Sequence, residues 1–94
     1  MKEITNEKLN KYFDVTNKAL NKAKEALNEE EIEKAKDFLD MATRYYEDAK
    51  YFKDKDDYVL AFGALNYAHG WLDAGARIQL FKVNDSTLFT VDEE

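Results

Sequence analysis

The chain contains no cysteine and no proline, and it has only three glycines. Without cysteine it has no disulfide, no thiolate metal ligand and no cysteine nucleophile. Without proline, and with few glycines, little in the sequence interrupts a long helix. A basic excess is also missing, because 14 Lys and Arg stand against 20 Asp and Glu, a net charge of −6. We therefore expect an acidic, all-α protein that binds neither nucleic acid nor an anionic membrane surface, since both need a basic face.

With 94 residues, 45% of them hydrophobic and 36% charged, the composition is that of one globular domain. We assign residues 1–94 to a single helical domain, in which 86–94 form a partly extended tail. The first seven residues contain no apolar run of the kind that marks a signal peptide. A cysteine-free chain also suits a reducing compartment. We therefore expect the protein to be cytoplasmic.

Apolar residues recur every three or four positions in three stretches, at about 5–27, 29–53 and 57–81. Polar side chains suited to N-caps stand at the start of each stretch. They are Thr5, Asn28, and either Asp56 or Asp57. Because the connections are short, consecutive helices run antiparallel. The sequence predicts an all-α, three-helix antiparallel bundle with a short extended C-terminal tail, which either packs over the bundle or pairs with another copy.

The predicted third helix is unusual because only Asp73 and Arg77 carry formal charge between residues 58 and 81. With about 100° between successive residues, it presents two apolar faces. The first face consists of Tyr58, Ala61, Phe62, Leu65, Ala68, Leu72, Ala76 and Leu80. The second face consists of Leu60, Tyr67, Trp71, Ala74, Ile78 and Phe81. A polar strip of Asn66, Asp73 and Arg77, with His69 at its edge, lies between them. These polar side chains make a membrane span too costly.

Two amphipathic helices can cover the first of these faces but not both. The second face then needs cover from the tail, from a second subunit or from a protein partner. Gly63 and Gly70 lie on its side, one heptad apart. They either form a groove in which another backbone approaches closely, or they belong to ordinary packing around Tyr67 and Trp71. In both cases we expect Gly70→Leu to disrupt the structure through steric overlap.

His69 is the only histidine, and Asp73 lies one turn further along the same helix. Such a pair can hold an imidazole tautomer for base catalysis or supply two metal ligands. Neither site is complete, because catalysis needs a further partner and zinc usually needs three protein ligands. The alternative is a hydrogen-bonded, structural role for His69. We assign no catalytic residue, no metal ligand and no cofactor.

The third stretch contains a long and unusual run, Asn66-Tyr-Ala-His-Gly-Trp-Leu-Asp-Ala-Gly-Ala-Arg77. Shorter segments of note are Lys11-Tyr-Phe13, Tyr46-Glu-Asp-Ala-Lys-Tyr-Phe52, Asp57-Tyr58 and Leu88-Phe89. In these segments the chain resembles the small archaeal proteins grouped as domain of unknown function 357, and the resemblance covers most of its length. It implies an archaeal, cytoplasmic, helical protein with no assigned activity. It supplies no catalytic residue, but it places the family's signature on Tyr67 to Arg77.

Our leading hypothesis is a non-enzymatic module that self-associates or docks a protein partner through the face formed by Tyr67, Trp71 and Ile78. The alternative is a small-molecule or metal-dependent activity at His69, Asp73 and Arg77. The candidate ligand or partner residues are Asn66, Tyr67, His69, Gly70, Trp71, Asp73 and Arg77. A pocket that brings further acidic groups to His69 favours the alternative. A hydrogen-bonded His69 without a cavity counts against it.

Overall fold

Residues 3–91 are described by a computed structural model, and they form three α-helices. The helices are α1 (Asn6–Lys24), α2 (Ile32–Asp54) and α3 (Tyr58–Arg77), with a 3₁₀ turn at Glu29–Glu31. Residues 3–91 contain no β-strand beyond one isolated bridge. The predicted all-α, three-helix antiparallel bundle is confirmed. The end of the predicted tail, 92–94, lies outside the described residues.

Two of the predicted N-caps begin their helices as expected. The hydroxyl of Thr5 accepts the backbone N–H of Lys8 at 3.1 Å. The carboxylate of Asp57 accepts the backbone N–H of Leu60 at 3.1 Å. Each bond satisfies one of the N–H groups that a helix leaves unpaired in its first turn. The starts of α1 and α3 can therefore be read directly from the sequence.

The start of the second helix differs from the prediction. The side chain of Asn28 accepts the backbone N–H of Glu30 at 3.1 Å, so it is a cap as expected. It begins the 3₁₀ turn, however, and the α-helix itself starts at Ile32 rather than at residue 29. The tighter turn redirects the chain between α1 and α2 before the longer helix begins.

The third helix is shorter than predicted, because it ends at Arg77 instead of continuing to residue 81. Gln79 adopts a left-handed backbone conformation, with φ of 63°. The N–H of Leu80 then donates to the carbonyl oxygen of Gly75 at 2.8 Å. This geometry is a Schellman motif, in which glycine usually occupies the left-handed position. Because glutamine stands there instead, the sequence gives no strong stop signal at this point.

The segments 26–28 and 80–82 lie antiparallel and pair through their backbones. Two hydrogen bonds, of 2.9 and 2.8 Å, join them on either side of the bridge. Because the first segment is used in this pairing, α1 ends at Lys24 rather than at residue 27. Phe81, which was predicted on the outer face of the third helix, turns inward and is only 1% exposed.

α3 is the central helix, since it packs most extensively on α2 and next on α1, whereas α1 and α2 meet over less surface. The buried side chains form two clusters. The cluster nearer the tail contains Ala19, Leu20, Ala23, Ala42, Leu72, Ala76, Phe81 and Phe89. The other contains Leu9, Ala49, Ala61, Ala64 and Leu65. The first predicted face of the third helix is thus the buried one. In residues 3–91 no helix has both the length and the apolarity that crossing a membrane requires.

The tail that follows α3 folds back over its own bundle. Residues 86–88 form a turn, in which the backbone carbonyl of Asp85 accepts the N–H groups of Leu88 and Phe89 at 3.1 and 3.0 Å. The turn brings the ring of Phe89, 3% exposed, into the cluster nearer the tail. Of the two arrangements predicted for the tail, packing over the bundle is the one observed.

Candidate partner-binding groove on the third helix

The residues predicted as functional lie on separate surfaces of α3. His69 and Asp73 are partly buried and contact the C-terminal tail. Arg77 is exposed at the last residue of the helix. The remaining four line an open groove beside α2. They are Asn66, Tyr67, Gly70 and Trp71.

Both ring nitrogens of His69 have hydrogen-bond partners within the chain. Nε2 lies 2.6 Å from the backbone carbonyl oxygen of Leu88. Because a carbonyl oxygen only accepts, Nε2 carries the proton. Nδ1 lies 3.3 Å from the hydroxyl of Thr16, a residue only 2% exposed. In the neutral ring Nδ1 accepts from that hydroxyl. The imidazole therefore joins α1, α3 and the tail.

The carboxylate of Asp73 holds the tail at Thr90, two residues after the Leu88 carbonyl that His69 contacts. Oδ1 accepts the backbone N–H of Thr90 at 2.8 Å, and Oδ2 accepts the hydroxyl of the same residue at 3.2 Å. Oδ1 also lies 3.8 Å from Nε2 of His69, which is too long for a hydrogen bond. We call His69 and Asp73 together the tail clasp, because both fasten the C-terminal segment to α3.

The tail clasp offers little to the predicted small-molecule or metal-dependent activity. Its polar atoms already bond to the chain, so a substrate or metal ion would have to displace the tail. Among residues 3–91 no three His, Cys, Asp or Glu side chains are grouped closely enough to hold a metal ion. The structural role considered for His69 fits all of these contacts.

A second carboxylate orders the tail before it reaches the clasp. The side chain of Asp85 accepts the backbone N–H of Thr87 at 3.0 Å and also the hydroxyl of that residue. These bonds, the hydroxyl first, favour the charged form and lower the pKa of Asp85 below its ordinary value of 3.8. Lys22 on α1, 3.6 Å away, lowers it further. Asp85 thus orders the turn through Thr87, within the tail, and its ion pair with Lys22 links that turn to α1.

An apolar groove runs along α3 beside α2. It is open to solvent and has a volume of about 710 Å³. The residues that line it are Phe38, Gly63, Asn66, Tyr67, Gly70, Trp71 and Ala74. All but Phe38 belong to α3, and none of the seven is charged. An uncharged, open groove of this kind suits an apolar partner rather than a charged ligand.

Two aromatic pairs fix the large side chains of the groove. Tyr67 stacks on Tyr45 of α2, with ring centroids 5.1 Å apart and 19° between the planes. Trp71 meets Phe38 of α2 edge to face, at 4.9 Å and 85°. Neither Phe38 nor Tyr45 is among the candidate ligand or partner residues predicted from the sequence. Their spacing of seven residues on one face of α2 was the available signal.

The three glycines of α3 have different surroundings. Apart from its chain neighbours and the adjacent backbone of its own helix, a Cβ atom on Gly63 or Gly70 would meet no described atom within 4 Å, because both border the open groove. The steric overlap expected for Gly70→Leu therefore does not arise at the Cβ atom within a single chain. A Cβ atom on Gly75, by contrast, would overlap the ring of Phe81. Gly75 is the glycine that the fold itself requires.

The apolar face around the groove is incompletely covered by the chain. Tyr67 is 65% exposed, Ile78 60% and Leu60 50%. Trp71 is better covered, since it is partly buried against Phe38. Several exposed large apolar side chains on one side of a helix are typical of interaction surfaces. The prediction that the second face lacks cover thus holds for Tyr67 and Ile78 but only in part for Trp71.

The bundle and its groove define a small three-helix protein with an open apolar face. Residues 11–81 match the family described as protein of unknown function (DUF357), and the chain belongs to this family. The matched region includes all of α2 and α3, so the resemblance seen in the sequence is confirmed. Searches of the curated proteins and of the solved structures found no match.

Proposed function

We propose that the protein is a non-enzymatic interaction module, which receives an apolar helix of another chain in the groove along α3. One observation carries the proposal. Gly70 leaves open space at the middle of an uncharged groove, while the adjacent Tyr67 is 65% exposed and held in place by Tyr45. A fixed aromatic side chain beside a backbone that another chain can approach is a favourable arrangement for docking.

The spacing of the groove residues supports a helical partner. Gly63, Tyr67, Gly70 and Ala74 follow one another at intervals of four, three and four residues. This is the pattern with which one helix accepts the side chains of another. Because ring contacts with α2 fix Tyr67 and Trp71 before a partner binds, little side-chain entropy is lost on docking.

The proposal includes no catalytic role, because two of the three side chains from which an active site was considered, His69 and Asp73, are engaged in the contacts of the tail clasp. A cytoplasmic location belongs to the same proposal, since a chain without cysteine suits a reducing compartment. An archaeal source is likewise part of the proposal and rests on the resemblance carried by Tyr67 to Arg77.

The proposal can be tested by replacing Tyr67 with a photoreactive phenylalanine analogue in the full chain, in cells that express it. The matched control carries the analogue at Tyr51, which is similarly exposed at 58% but does not line the groove. We expect a discrete crosslinked product at position 67 alone, and we expect Gly70→Leu to abolish it. Equal crosslinking at both positions, or a product that survives Gly70→Leu, would contradict the proposal.

A further inference from the structure

We infer that the occupant of the groove is a second copy of this chain, with the two α3 helices antiparallel about a two-fold axis between residues 68 and 69. The inference rests on the proposed function, because it names the partner of the same groove. In this arrangement Tyr67 of each copy lies over Gly70 of the other. Both contacts form at once, as a two-fold axis requires.

The register follows from the residues that line the groove. When Tyr67 of one copy lies level with Gly70 of the other, the remaining pairs are fixed as well. Two residues lie level when they are equally far, in opposite directions along the sequence, from the axis between residues 68 and 69. The six groove residues of α3 then pair entirely among themselves. The pairs are Gly63 with Ala74, Asn66 with Trp71, and Tyr67 with Gly70. The groove is therefore complementary to itself in this one register.

Side-chain size supports the same register. We call the line of Gly63, Tyr67, Gly70 and Ala74 the seam of the helix pair. Its largest residue, Tyr67, faces a glycine beside which there is open space. Gly63 faces Ala74, so two small residues meet where the backbones must approach closely. Alternating intervals of three and four residues along the seam are those of an antiparallel helix pair with knobs-into-holes packing. Small residues allow the helix axes to lie near the lower end of the usual separation of about 8–10 Å.

The same register also sets which residues lie level at the two ends of α3. Val59, 70% exposed, lies level with Ile78 of the second copy, which is 60% exposed. The arrangement places these two exposed apolar side chains at the same level along the axis, once at each end. It also places Arg77 level with Leu60 of the second copy, one turn from Asp57 at the start of that helix. The charges there are opposite, which favours antiparallel over parallel helices.

Charge does not oppose self-association on this face, although the chain carries a net charge of −6. Within α3 the single acidic residue, Asp73, is balanced by the single basic residue, Arg77. The acidic excess of the chain lies elsewhere. Antiparallel α3 helices also align their dipoles favourably.

The expected contact is small, as weak and transient interfaces are. α3 has 20 residues, so it is about 30 Å long and about 10–12 Å wide. Two such faces cover about 600–700 Å² in total, to which the adjoining rings of α2 add, so the contact is smaller than a standard specific interface. We therefore expect a weak, reversible dimer with a dissociation constant in the micromolar range or above.

Sedimentation equilibrium of the purified full chain, from low micromolar to near-millimolar concentration, tests the inference. We expect reversible association that Gly70→Leu and Tyr67→Asp each abolish. Tyr51→Asp, the matched change at an exposed tyrosine outside the groove, should leave the association unchanged. Circular dichroism checks that each variant remains folded, and a Cβ atom at position 70 enters open space in the monomer.

The register is tested with a spin label at Val59→Cys, since the chain has no other cysteine. In the antiparallel register the two labelled positions are offset along the helix axis by 19 residues, or about 28 Å. A parallel pair would bring the labels level. Pulsed electron paramagnetic resonance should therefore give a distance near 30 Å, and a much shorter distance would overturn the inference.

The outcomes separate this inference from the proposed function. Suppose that the chain stays monomeric at every concentration but forms a Gly70-dependent crosslink to a different protein in cells. That result contradicts the inference that a second copy occupies the groove, and it leaves the proposed interaction function standing. A monomer that also gives no such crosslink overturns both. Dimerisation that Gly70→Leu does not change places the contact elsewhere and likewise overturns the inference.

Discussion

The imidazole Nε2 of His69 lies 2.6 Å from the backbone carbonyl oxygen of Leu88, nineteen residues further along the chain. The same ring contacts the hydroxyl of Thr16 on α1, so one side chain connects three segments. One turn along the helix, Asp73 accepts both polar hydrogens of Thr90. The most polar part of α3 is therefore engaged in holding the C-terminal segment against the bundle.

Removal of the imidazole should loosen the tail and destabilise the fold. We expect His69→Ala to lower the free energy of unfolding by about 1–3 kcal/mol, because the buried hydroxyl of Thr16 and the carbonyl of Leu88 each lose a partner. Urea denaturation measures the loss, and hydrogen exchange at the amide of Thr90 reports the tail. A His69→Ala variant with unchanged stability and unchanged exchange would contradict the clasp.

Substitution by alanine should raise the stability of the monomer at two of the glycines of α3 and lower it at the third. Gly63→Ala and Gly70→Ala should each stabilise the monomer by about 0.5–1 kcal/mol, because alanine is the better helix former and its Cβ enters open space. Gly75→Ala should destabilise it by about 1–3 kcal/mol, because the buried ring of Phe81 must move. Thermal or urea unfolding at low protein concentration measures all three. The same sign at all three positions would show that the environments are wrongly assigned.

The relationship between Gly75 and Phe81 also shows why part of the fold escaped sequence analysis. Caps such as Thr5 and Asp57 are local, so the sequence predicts them. The end of α3 depends instead on Gln79 in a left-handed conformation and on pairing with residues distant in the chain. Apolar periodicity continues through Phe81, and only the tertiary contact turns that residue inward. The helix was therefore predicted too long.

The leucines of α3 differ in how deeply they are buried, and this difference tests which face of the helix packs in the core. Leu65 is 1% exposed, so Leu65→Ala should cost about 2–5 kcal/mol of stability. Leu60 is 50% exposed, and Leu60→Ala in dilute, monomeric protein should cost much less. Urea denaturation of both variants gives the comparison. A loss below about 0.5 kcal/mol for Leu65→Ala would mean that the faces are misassigned.

The candidate site could be predicted only where it depends on spacing within one helix. Gly63 and Gly70 lie one heptad apart on an uncharged helix, and that spacing alone places them beside Tyr67 and Trp71. The contributions of α2 depend on how the two helices pack, so they do not follow from the pattern of α3. The tail contacts of His69 join residues far apart in sequence, and no local motif signals them.

The hydrogen bonds of Asp85 predict how the tail responds to acid. Its pKa is lower in the folded protein than the ordinary value of 3.8, mainly because of the bonds from Thr87. The folded state therefore binds the proton less readily than the unfolded state does. The resulting stabilisation is present above the unfolded-state pKa and is lost as the pH falls through the folded-state value. The stability difference between the native chain and Asp85→Asn should be largest near neutral pH and disappear well below pH 3.8.

Titration followed by NMR at the Asp85 carboxyl measures the effect directly. We expect a midpoint below 3.8 in the native chain, and a rise towards that value when the hydroxyl is removed in Thr87→Ala. Lys22→Ala should raise the midpoint less, because the hydroxyl bond is the larger cause and the lysine lies 3.6 Å away at an exposed position. If the lysine variant moved the midpoint more than the threonine variant, the charge of Lys22 rather than the hydrogen bonds of Thr87 would be the larger cause of the lowered pKa. A midpoint at or above 3.8 in the native chain would mean that the turn at Asp85 does not form as described.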